Sequence, residues 1–322
     1  MITKEIAVFY HYFEKSRVYK DNLIYFLSTG YLPDVDFYIV ISGNCSIEDL
    51  PEKNNIFYIN TKNHNFDFGG HAFGISYMKN KNLSYEKYIF INSSVRGPFT
   101  APYFNSPWVN IFTEKLKNNT HLVGSSINIP LLKTPEVERF KKLFPDDNSS
   151  YAHVQTTAYA LTNEALKYLL SINFYDSAKV LSRIDVICMY EIRLSNEIIK
   201  NGWTIGCLLP EYHSIDYQTN EIDKSPVLGG KEGAIDRGVF FGRTANPMEI
   251  LFIKINRNVI SDLDLHSYTY TGIIRRKDTL KENWIEAKLL ENNSLQWIQL
   301  GIENRIAKSR NIFNRIIKKF FK

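Results

Sequence analysis

The stretch Tyr88-Ile-Phe-Ile-Asn-Ser-Ser-Val-Arg-Gly-Pro-Phe99 joins a short apolar run to an abrupt polar turn. The apolar run is typical of a strand buried on both faces of a sheet, and the Gly-Pro pair indicates a sharp change of chain direction. Hydrogen-bonding and charged side chains follow the strand directly: Asn92, Ser93, Ser94 and Arg96. Because ligands in open α/β sheets bind at the carboxyl ends of the strands, this turn predicts a binding edge.

Similar apolar runs precede this strand. The pattern predicts strands over residues 4–10, 36–42, 56–60 and 87–92, with helices over 18–27 and 70–80. Further strands are predicted over 121–126, 157–162 and 204–209, a long helix over 185–200, and a surface loop or lid over 216–244. Near-continuous apolar strands separated by helices indicate an α/β fold, a Rossmann-like, mostly parallel sheet with helices on both faces.

Polar or aromatic side chains also end the other strands of this half. Tyr10 and His11 end the first strand, and Asn65, Asp67, Gly69 and Gly70 surround the start of a helix after the third. Glycines allow close approach of a backbone to a ligand, and a helix N-terminus favours an anion. The alternative readings are a turn capped by Asp67 and an Asn/Ser turn with a solvated Arg96.

Three motifs occur in a familiar order: Asn65-x-Asp67-Phe-Gly-Gly, then Asn92-Ser-Ser-Val-Arg-Gly-Pro-Phe, then His153-Val-Gln-Thr. Together they resemble bacterial and viral glycosyltransferases related to the rhamnan synthesis protein F family. The segment Pro247-Met-Glu-Ile-Leu-Phe-Ile-Lys-Ile-Asn-Arg257 is similar to a segment of the same group. The resemblance covers residues 10–257 and implies the GT-A type of the α/β fold and a nucleoside-diphosphate sugar as donor.

The resemblance also implies roles for individual residues. Donor binding falls to Tyr10, His11, Asn65, Asp67, Gly69, Gly70, Asn92, Ser93, Ser94, Arg96 and His153. GT-A enzymes usually end the fourth strand with Asp-x-Asp, which holds a divalent ion, whereas Asn92-Ser93-Ser94 has no carboxylate. We therefore expect weak dependence on Mg²⁺ or Mn²⁺, with Arg96 and His153 neutralising the diphosphate and Asp67 the ligand of any metal.

Two acidic residues of the predicted long helix, Asp185 and Glu191, are candidates for the general base. An inverting transferase needs a carboxylate that takes the proton of the acceptor hydroxyl, and burial would raise the pKa of Glu191. A structural salt bridge with Arg183 or Arg193 is the alternative. For His153 the alternative is a buried histidine with satisfied hydrogen bonds.

The charge of the chain is concentrated at its end. Residues 302–322 hold seven Lys/Arg and one acidic residue, whereas the rest holds 32 basic and 33 acidic residues. An Ile/Phe stripe among these basic residues predicts a helix that binds an anionic membrane surface. Packing on the body and a nucleic-acid arm are the alternatives, and the neutral body argues against nucleic acid. We expect residues 1–257 to form the transferase domain and 258–322 a helical extension.

Three distant cysteines and the absence of a leader pattern at the start indicate a reducing, cytoplasmic location, peripheral on the inner face of the membrane. The sequence thus predicts an enzyme that moves a sugar from a nucleotide-sugar donor onto a glycan or lipid-linked glycan of the cell surface. The alternative is a protein of the same fold that binds nucleotide sugar or glycan without turnover.

Overall fold

The computed structural model describes residues 4–147, 150–176, 179–218, 226–227, 233–256 and 259–275. The strands are β1 Ile6–Tyr12, β2 Asp36–Ser42, β3 Ile56–Thr61, β4 Lys87–Asn92, β5 Val95–Arg96, β6 Thr120–Gly124, β7 Ile127–Asn128, β8 His153–Val154, β9 Ala158–Thr162, β10 Thr204–Cys207 and β11 Ile253–Lys254. The helices are α1 Arg17–Gly30, α2 Phe66–Asn80, α3 Val109–Thr113, α4 Pro135–Leu143, α5 Asn163–Ser171, α6 Arg183–Val186, α7 Arg193–Lys200, α8 Pro247–Ile250 and α9 Asp262–Arg275. A π-helical turn, Ile187–Ile192, joins α6 to α7, and Pro210–Tyr212 is a 3-10 turn.

The central sheet has seven strands in the order β10-β6-β9-β4-β1-β2-β3. Strands β1 to β4 are parallel to one another, whereas β9 runs antiparallel to both β4 and β6. This confirms the predicted α/β fold with a mostly parallel sheet. The carboxyl ends of β1, β4 and β6 therefore lie at the same edge as the amino end of β9.

Helices cover both faces of the sheet because β1 is apolar on both sides. On one face Phe9 stacks on Tyr38 at 4.6 Å and on Phe90 at 5.1 Å, beneath α2. On the other face Tyr10 stacks on Phe26 of α1 at 4.6 Å. Every residue of β1 is buried, as expected for a central strand of a doubly covered sheet.

Two short antiparallel ribbons lie outside the central sheet. Strand β5 pairs with β11, and β7 pairs with β8. The second ribbon joins the end of β6 to the segment that enters β9, so it extends the carboxyl edge of the sheet. Neither ribbon is predictable from hydrophobic periodicity, because two residues are too short a window.

The expected surface loop over 216–244 is wrong for much of its described part. Four of its side chains are buried: Tyr217, Ala234, Ile235 and Phe240. Phe240 also forms isolated β-bridges with Val227 and Arg243. The Gly, Asp and Ser content that suggested a loop reflects turns between these anchoring apolar side chains.

The chain divides into two compact units, Met1–Ile260 and Ser261–Lys322. Within the second unit, Ser261 precedes α9, and its Oγ atom accepts a hydrogen bond from the backbone N–H of Asp264 at 3.1 Å. The predicted basic helix over 302–322 lies outside the described residues. Among the described helices, none is long and apolar enough to cross a membrane.

Candidate functional site

Asp67 and Asn92 meet at the carboxyl edge of the parallel half of the sheet. Asn92 is the last residue of β4, and its Nδ2 atom donates a 2.8 Å hydrogen bond to Oδ2 of Asp67 in the first turn of α2. The Oδ1 atom of Asn92 accepts from the backbone N–H and the hydroxyl of Ser94, at 3.0 and 2.6 Å. These three half-buried side chains form a small hydrogen-bonded cluster that includes one carboxylate.

The beginning of α2 is fixed by close contacts that only glycine permits. A Cβ atom at Gly69 would lie 1.7 Å from the carbonyl oxygen of His64, and one at Gly70 would lie 2.1 Å from the ring of His11. Both glycines thus bring α2 against its own chain and against β1. The expected close approach to a ligand stays a prediction, since each glycine already has a neighbour inside the protein.

Asn65 precedes α2 in the left-handed conformation, with a φ of 54°. Its Nδ2 atom donates to the carbonyl oxygen of Lys179 at 2.7 Å, and its Oδ1 atom accepts from the backbone N–H of Leu181 at 2.8 Å. Both ends of this amide are engaged by the segment that leads into α6. We call this pair of bonds the Asn65 clasp.

Two buried imidazoles lie beneath the Asp67 cluster. The Nε2 atom of His11 is 2.9 Å from Oγ of Ser42, and the ring of His71 lies edge-on to His11 with centroids 6.2 Å apart. Burial, reinforced by His71, lowers the pKa of His11 to about 4, and burial lowers the pKa of His71 to about 4. Both rings are neutral at pH 7, so they offer hydrogen bonds and no positive charge.

Tyr10 and Arg96 lie on the other side of β1, towards α1. The Nε atom of Arg96 donates to Oδ1 of Asn22 at 2.9 Å, and Nδ2 of Asn22 donates to the carbonyl oxygen of Ser93 at 2.9 Å. The hydroxyl of Tyr10 is buried. The structure therefore separates these predicted donor-binding residues from the Asp67 cluster, and the buried Arg96 helps to hold α1 to the turn after β4.

His153 belongs to a third group, on the ribbon of β7 and β8. Its Nδ1 atom donates to the carbonyl oxygen of Tyr151 at 2.8 Å, and its Nε2 atom is 3.5 Å from Nδ2 of Asn128. The antiparallel register puts Asn128 opposite His153, and the backbone bond from Gln155 to Ser126 puts those two side by side. The hydroxyl of Ser126 and Oδ1 of Asn128 are buried without a protein partner, which calls for water or a ligand.

Asp185 and Glu191 differ in their surroundings. Asp185 accepts a 2.6 Å hydrogen bond from Nε of Arg139 and a 2.8 Å bond from the hydroxyl of Ser182. The bond from Arg139 lowers the pKa of Asp185, which makes it a poorer base. Asp185 thus forms the alternative salt bridge, with Arg139 in place of Arg183 or Arg193. Glu191 is half-buried in the π-helical turn, a feature frequent at functional sites.

The stretch from α6 through α7 packs beside the start of α2. Phe68 stacks on Tyr190 of the π-helical turn with ring centroids 5.0 Å apart and an interplanar angle of 15°. With the Asn65 clasp, this contact brings the segment of the two candidate bases next to the helix that begins at the Asp67 cluster. The end of β4, the beginning of α2 and the beginning of α6 thus meet at this edge.

A protein cage for a divalent cation is not formed here. Among the described residues no group of three His, Cys, Asp or Glu side chains is arranged to hold a metal. Asp67 supplies one carboxylate, and the oxygen of its neighbour Asn92 is occupied by Ser94. A hard cation needs six or more oxygen ligands, so Asp67 would hold one only together with oxygens of a ligand or water.

No protein-family model and no curated protein matches this sequence. Solved structures that match include a mannosyltransferase from Pyrobaculum calidifontis in complex with GDP-Man and Mn²⁺, with 12% identity, a TM-score of 0.37 and coverage of 64% of this chain and 55% of that one. A glycosyltransferase involved in the glycosylation of the major capsid of PBCV-1 matches with 16% identity, a TM-score of 0.31 and coverage of 63% of this chain and 81% of that one. The bifunctional glycosyltransferase WbbM matches with 10% identity, a TM-score of 0.32 and coverage of 63% and 38%.

This chain spans about half of the mannosyltransferase and less of WbbM. At these TM-scores the fold class rests on the sheet topology of the chain itself. The relation to the rhamnan synthesis protein F group stays a prediction, and Arg257 of the fourth similar segment lies outside the described residues.

Several residues of the edge were not foreseen from the sequence. Asn22 and Ser42 lie in a predicted helix and at the end of a predicted strand, where nothing distinguishes them from ordinary core or cap residues. Ser126 and Asn128, whose Oγ and Oδ1 atoms have no partner in the protein, follow β6, and the rule that ligands lie after strand ends would have pointed to both.

Proposed function

We propose that this protein is a glycosyltransferase that moves a sugar from a nucleotide-sugar donor onto a glycan acceptor. The observation that carries the proposal is the hydrogen-bonded pair of Asp67 and Asn92 at the carboxyl edge of β1 and β4. A nucleotide sugar presents ribose and sugar hydroxyls, which carboxylate and amide groups of this kind bind. The resemblance of the Asn65, Asn92 and His153 motifs to transferases adds support.

The carboxyl edge of the sheet has two groups of polar side chains, which suit the two substrates of a transferase, the donor and the acceptor. The parallel half, β1 to β4, carries the Asp67 cluster, whereas the ribbon of β7 and β8 carries unpaired hydroxyl and amide groups suited to sugar hydroxyls. Glu191 is the preferred general base, because Asp185 is engaged by Arg139. We propose transfer of a hexose or deoxyhexose to a cell-surface polysaccharide or glycolipid.

Binding without turnover is the second candidate, favoured by the salt bridge that occupies Asp185. A thermal-shift screen of nucleotide sugars, followed by release of nucleoside diphosphate from each that binds, separates the two. A nucleotide sugar at about 100 times its dissociation constant should stabilise the fold by about 2.7 kcal/mol. Stabilisation with no release of diphosphate, with or without acceptor glycans, would leave only the binding function, and no stabilisation at all would contradict both.

We further propose that residues 302–322 bind the cytoplasmic face of an anionic membrane. Each basic residue near such a surface contributes about 1 kcal/mol, and the Ile/Phe stripe adds apolar insertion. A chain truncated before Ile302 should keep turnover of a soluble acceptor and lose sedimentation with anionic liposomes. Equal sedimentation of the truncated and intact proteins would contradict the anchor.

A further inference from the structure

Asn65 joins the start of α2 to the segment that leads into α6. Its backbone conformation is left-handed, and the next residue, Phe66, has a φ of 55° as well. Such consecutive left-handed residues cost free energy that surrounding contacts must offset. Asparagine tolerates this conformation better than most residues. Here both the Nδ2 and the Oδ1 atom of its side chain form hydrogen bonds with one neighbouring segment.

The clasped segment determines where α6 begins. Leu181, whose N–H is held by Asn65, is followed by Ser182, the N-cap of α6, whose Oγ atom accepts from the N–H of Asp185 at 3.2 Å. The helical stretch then continues through Glu191 without a break. A displacement of residues 179–181 would therefore move the start of the helix that carries both candidate bases.

The Asn65 clasp also lies next to the Asp67 cluster. Asp67 is two residues from Asn65, in the first turn of α2, and is bonded to Asn92. The stacking of Phe68 on Tyr190 closes the same connection one turn further along. The helix of the candidate bases is thus tied to the start of α2 at two points, one polar and one aromatic.

We propose that Asn65 is a positioning residue, which holds the helix of Glu191 in register with the Asp67 cluster and does not itself bind the donor. This inference rests on the proposed transferase function and replaces the donor-binding role expected for Asn65 from the sequence. Both amide ends are engaged within the protein, so a donor contact would have to break one of these bonds. Misplacement of reacting groups by about 1 Å costs about 10²-fold in rate, whereas donor affinity depends on the Asp67 cluster.

The test uses Asn65→Gly in the full chain, because glycine adopts the left-handed conformation freely and removes both amide bonds. Asn82→Gly is the matched control, since Asn82 is exposed and has the same φ of 54° at the far end of α2. Asn65→Asp is an intermediate variant that keeps an acceptor for the N–H of Leu181 and loses the donor to Lys179. Turnover, donor dissociation constant and hydrogen exchange at the amide of Leu181 are measured for each.

We expect kcat of Asn65→Gly to fall about tenfold or more, with the donor dissociation constant within about twofold of wild type. The amide of Leu181 should lose protection from exchange, while that of Ile89 in β4 keeps it. Asn65→Asp should lie between these values, and Asn82→Gly should match wild type.

Weaker donor binding with unchanged kcat in Asn65→Gly would overturn the proposal and restore the donor-binding role. So would values equal to those of Asn82→Gly. A wild-type protein that turns over no nucleotide sugar would instead contradict the proposed function. In that case the exchange of Leu181 still decides whether Asn65 holds the segment before α6.

Discussion

The amide of Asn92 donates its hydrogen bond to the carboxylate of Asp67 over 2.8 Å, and so joins the end of β4 to the first turn of α2. The two residues are 25 positions apart in the chain and belong to consecutive βα units. Because parallel strands present their carboxyl ends together, such a contact is expected only when both lie at the ligand edge of the sheet. The contact is accordingly the first target for mutation.

Removing the carboxylate by Asp67→Ala should weaken nucleotide-sugar binding about tenfold or more. Hydrogen bonds to charged groups contribute about 1.5–3 kcal/mol, which corresponds to such a change in the dissociation constant. Isothermal titration with the nucleotide sugar found in the screen measures it. Asp34→Ala is the matched control, since Asp34 is exposed and precedes β2 at the opposite edge. Unchanged binding by Asp67→Ala would remove this carboxylate from the donor site.

Replacing Asn92 by aspartate should create a dependence on divalent cations. The substitution puts two carboxylates within hydrogen-bond distance, where they repel each other and attract a hard cation. We expect Asn92→Asp to be less stable than wild type at pH 7 and to regain stability with Mn²⁺ in a thermal-shift assay. Wild type should keep turnover within about tenfold when EDTA removes divalent ions. A wild-type enzyme inactivated by EDTA would show that its own Asp67 suffices to recruit a catalytic metal.

Conversion of the two candidate bases to their amides should have different effects on turnover and on stability. Glu191→Gln should lower kcat about 10²-fold or more while donor affinity persists, as expected for loss of a general base. Asp185→Asn should mainly lower stability, because it breaks the salt bridge with Arg139. Steady-state kinetics and urea unfolding on both variants give the comparison. If Glu191→Gln keeps full turnover, the base lies elsewhere.

Gly70→Ala should destabilise the fold by about 1–3 kcal/mol, the usual cost of overpacking a core position. The added methyl group would meet the ring of His11 at 2.1 Å. Gly206→Ala in β10 is the control, since its Cβ atom would lie 3.3 Å from the side chain of Thr120 and 3.7 Å from that of Val123. Urea denaturation of both variants measures the difference. Equal stabilities would mean that α2 shifts away from β1 without cost.

Stability should fall as the pH drops from about 6.5 towards 4. An unfolded histidine titrates near 6.5, whereas His11 and His71 titrate near 4 in the fold, so the unfolded chain takes up protons first and gains stability relative to the fold. Urea unfolding at intervals between pH 4.5 and 7.5 measures this slope. His71→Gln should flatten it. A slope that survives both His11→Gln and His71→Gln would come from carboxylates or from His121, whose pKa is also lowered by burial.

Hydrophobic patterns predicted the sheet well because buried parallel strands leave a local signal. β2 and β4 have the predicted bounds, and α2 begins four residues earlier than predicted because glycines at 69 and 70 obscured its first turn. The position of Asp67 and Asn92 at one edge followed from the predicted strand ends, whereas their hydrogen bond was not predicted. The clasp of Asn65 on Lys179 and Leu181 did not, because contacts across 114 and 116 residues leave no periodic trace.

The contact of Arg96 with Asn22 was also not predictable from the sequence. Residues after a strand alternate between the two faces, and sequence alone does not reveal that the chain turns towards α1 after Ser94. Arg96 pairs with Asn22 of α1, whereas the motif after β4 led us to expect that it would bind a diphosphate. The antiparallel direction of β9 was equally hidden, because a fully buried strand has the same pattern in either direction.

Because β9 runs antiparallel to β4 and β6, the side chains on the two sides of the edge come from different kinds of connection. In the β1 to β4 half, the side chains at the edge come from connections that leave a strand, so they are tied to the helices that follow. On the β9 side they come from the connection that enters the strand, residues 129–157, in which α4 is held to α6 by the ion pair of Arg139 with Asp185. Under the proposed function, we expect substitutions in the part of this connection that follows α4 to alter acceptor preference while the nucleotide site on the parallel half is kept.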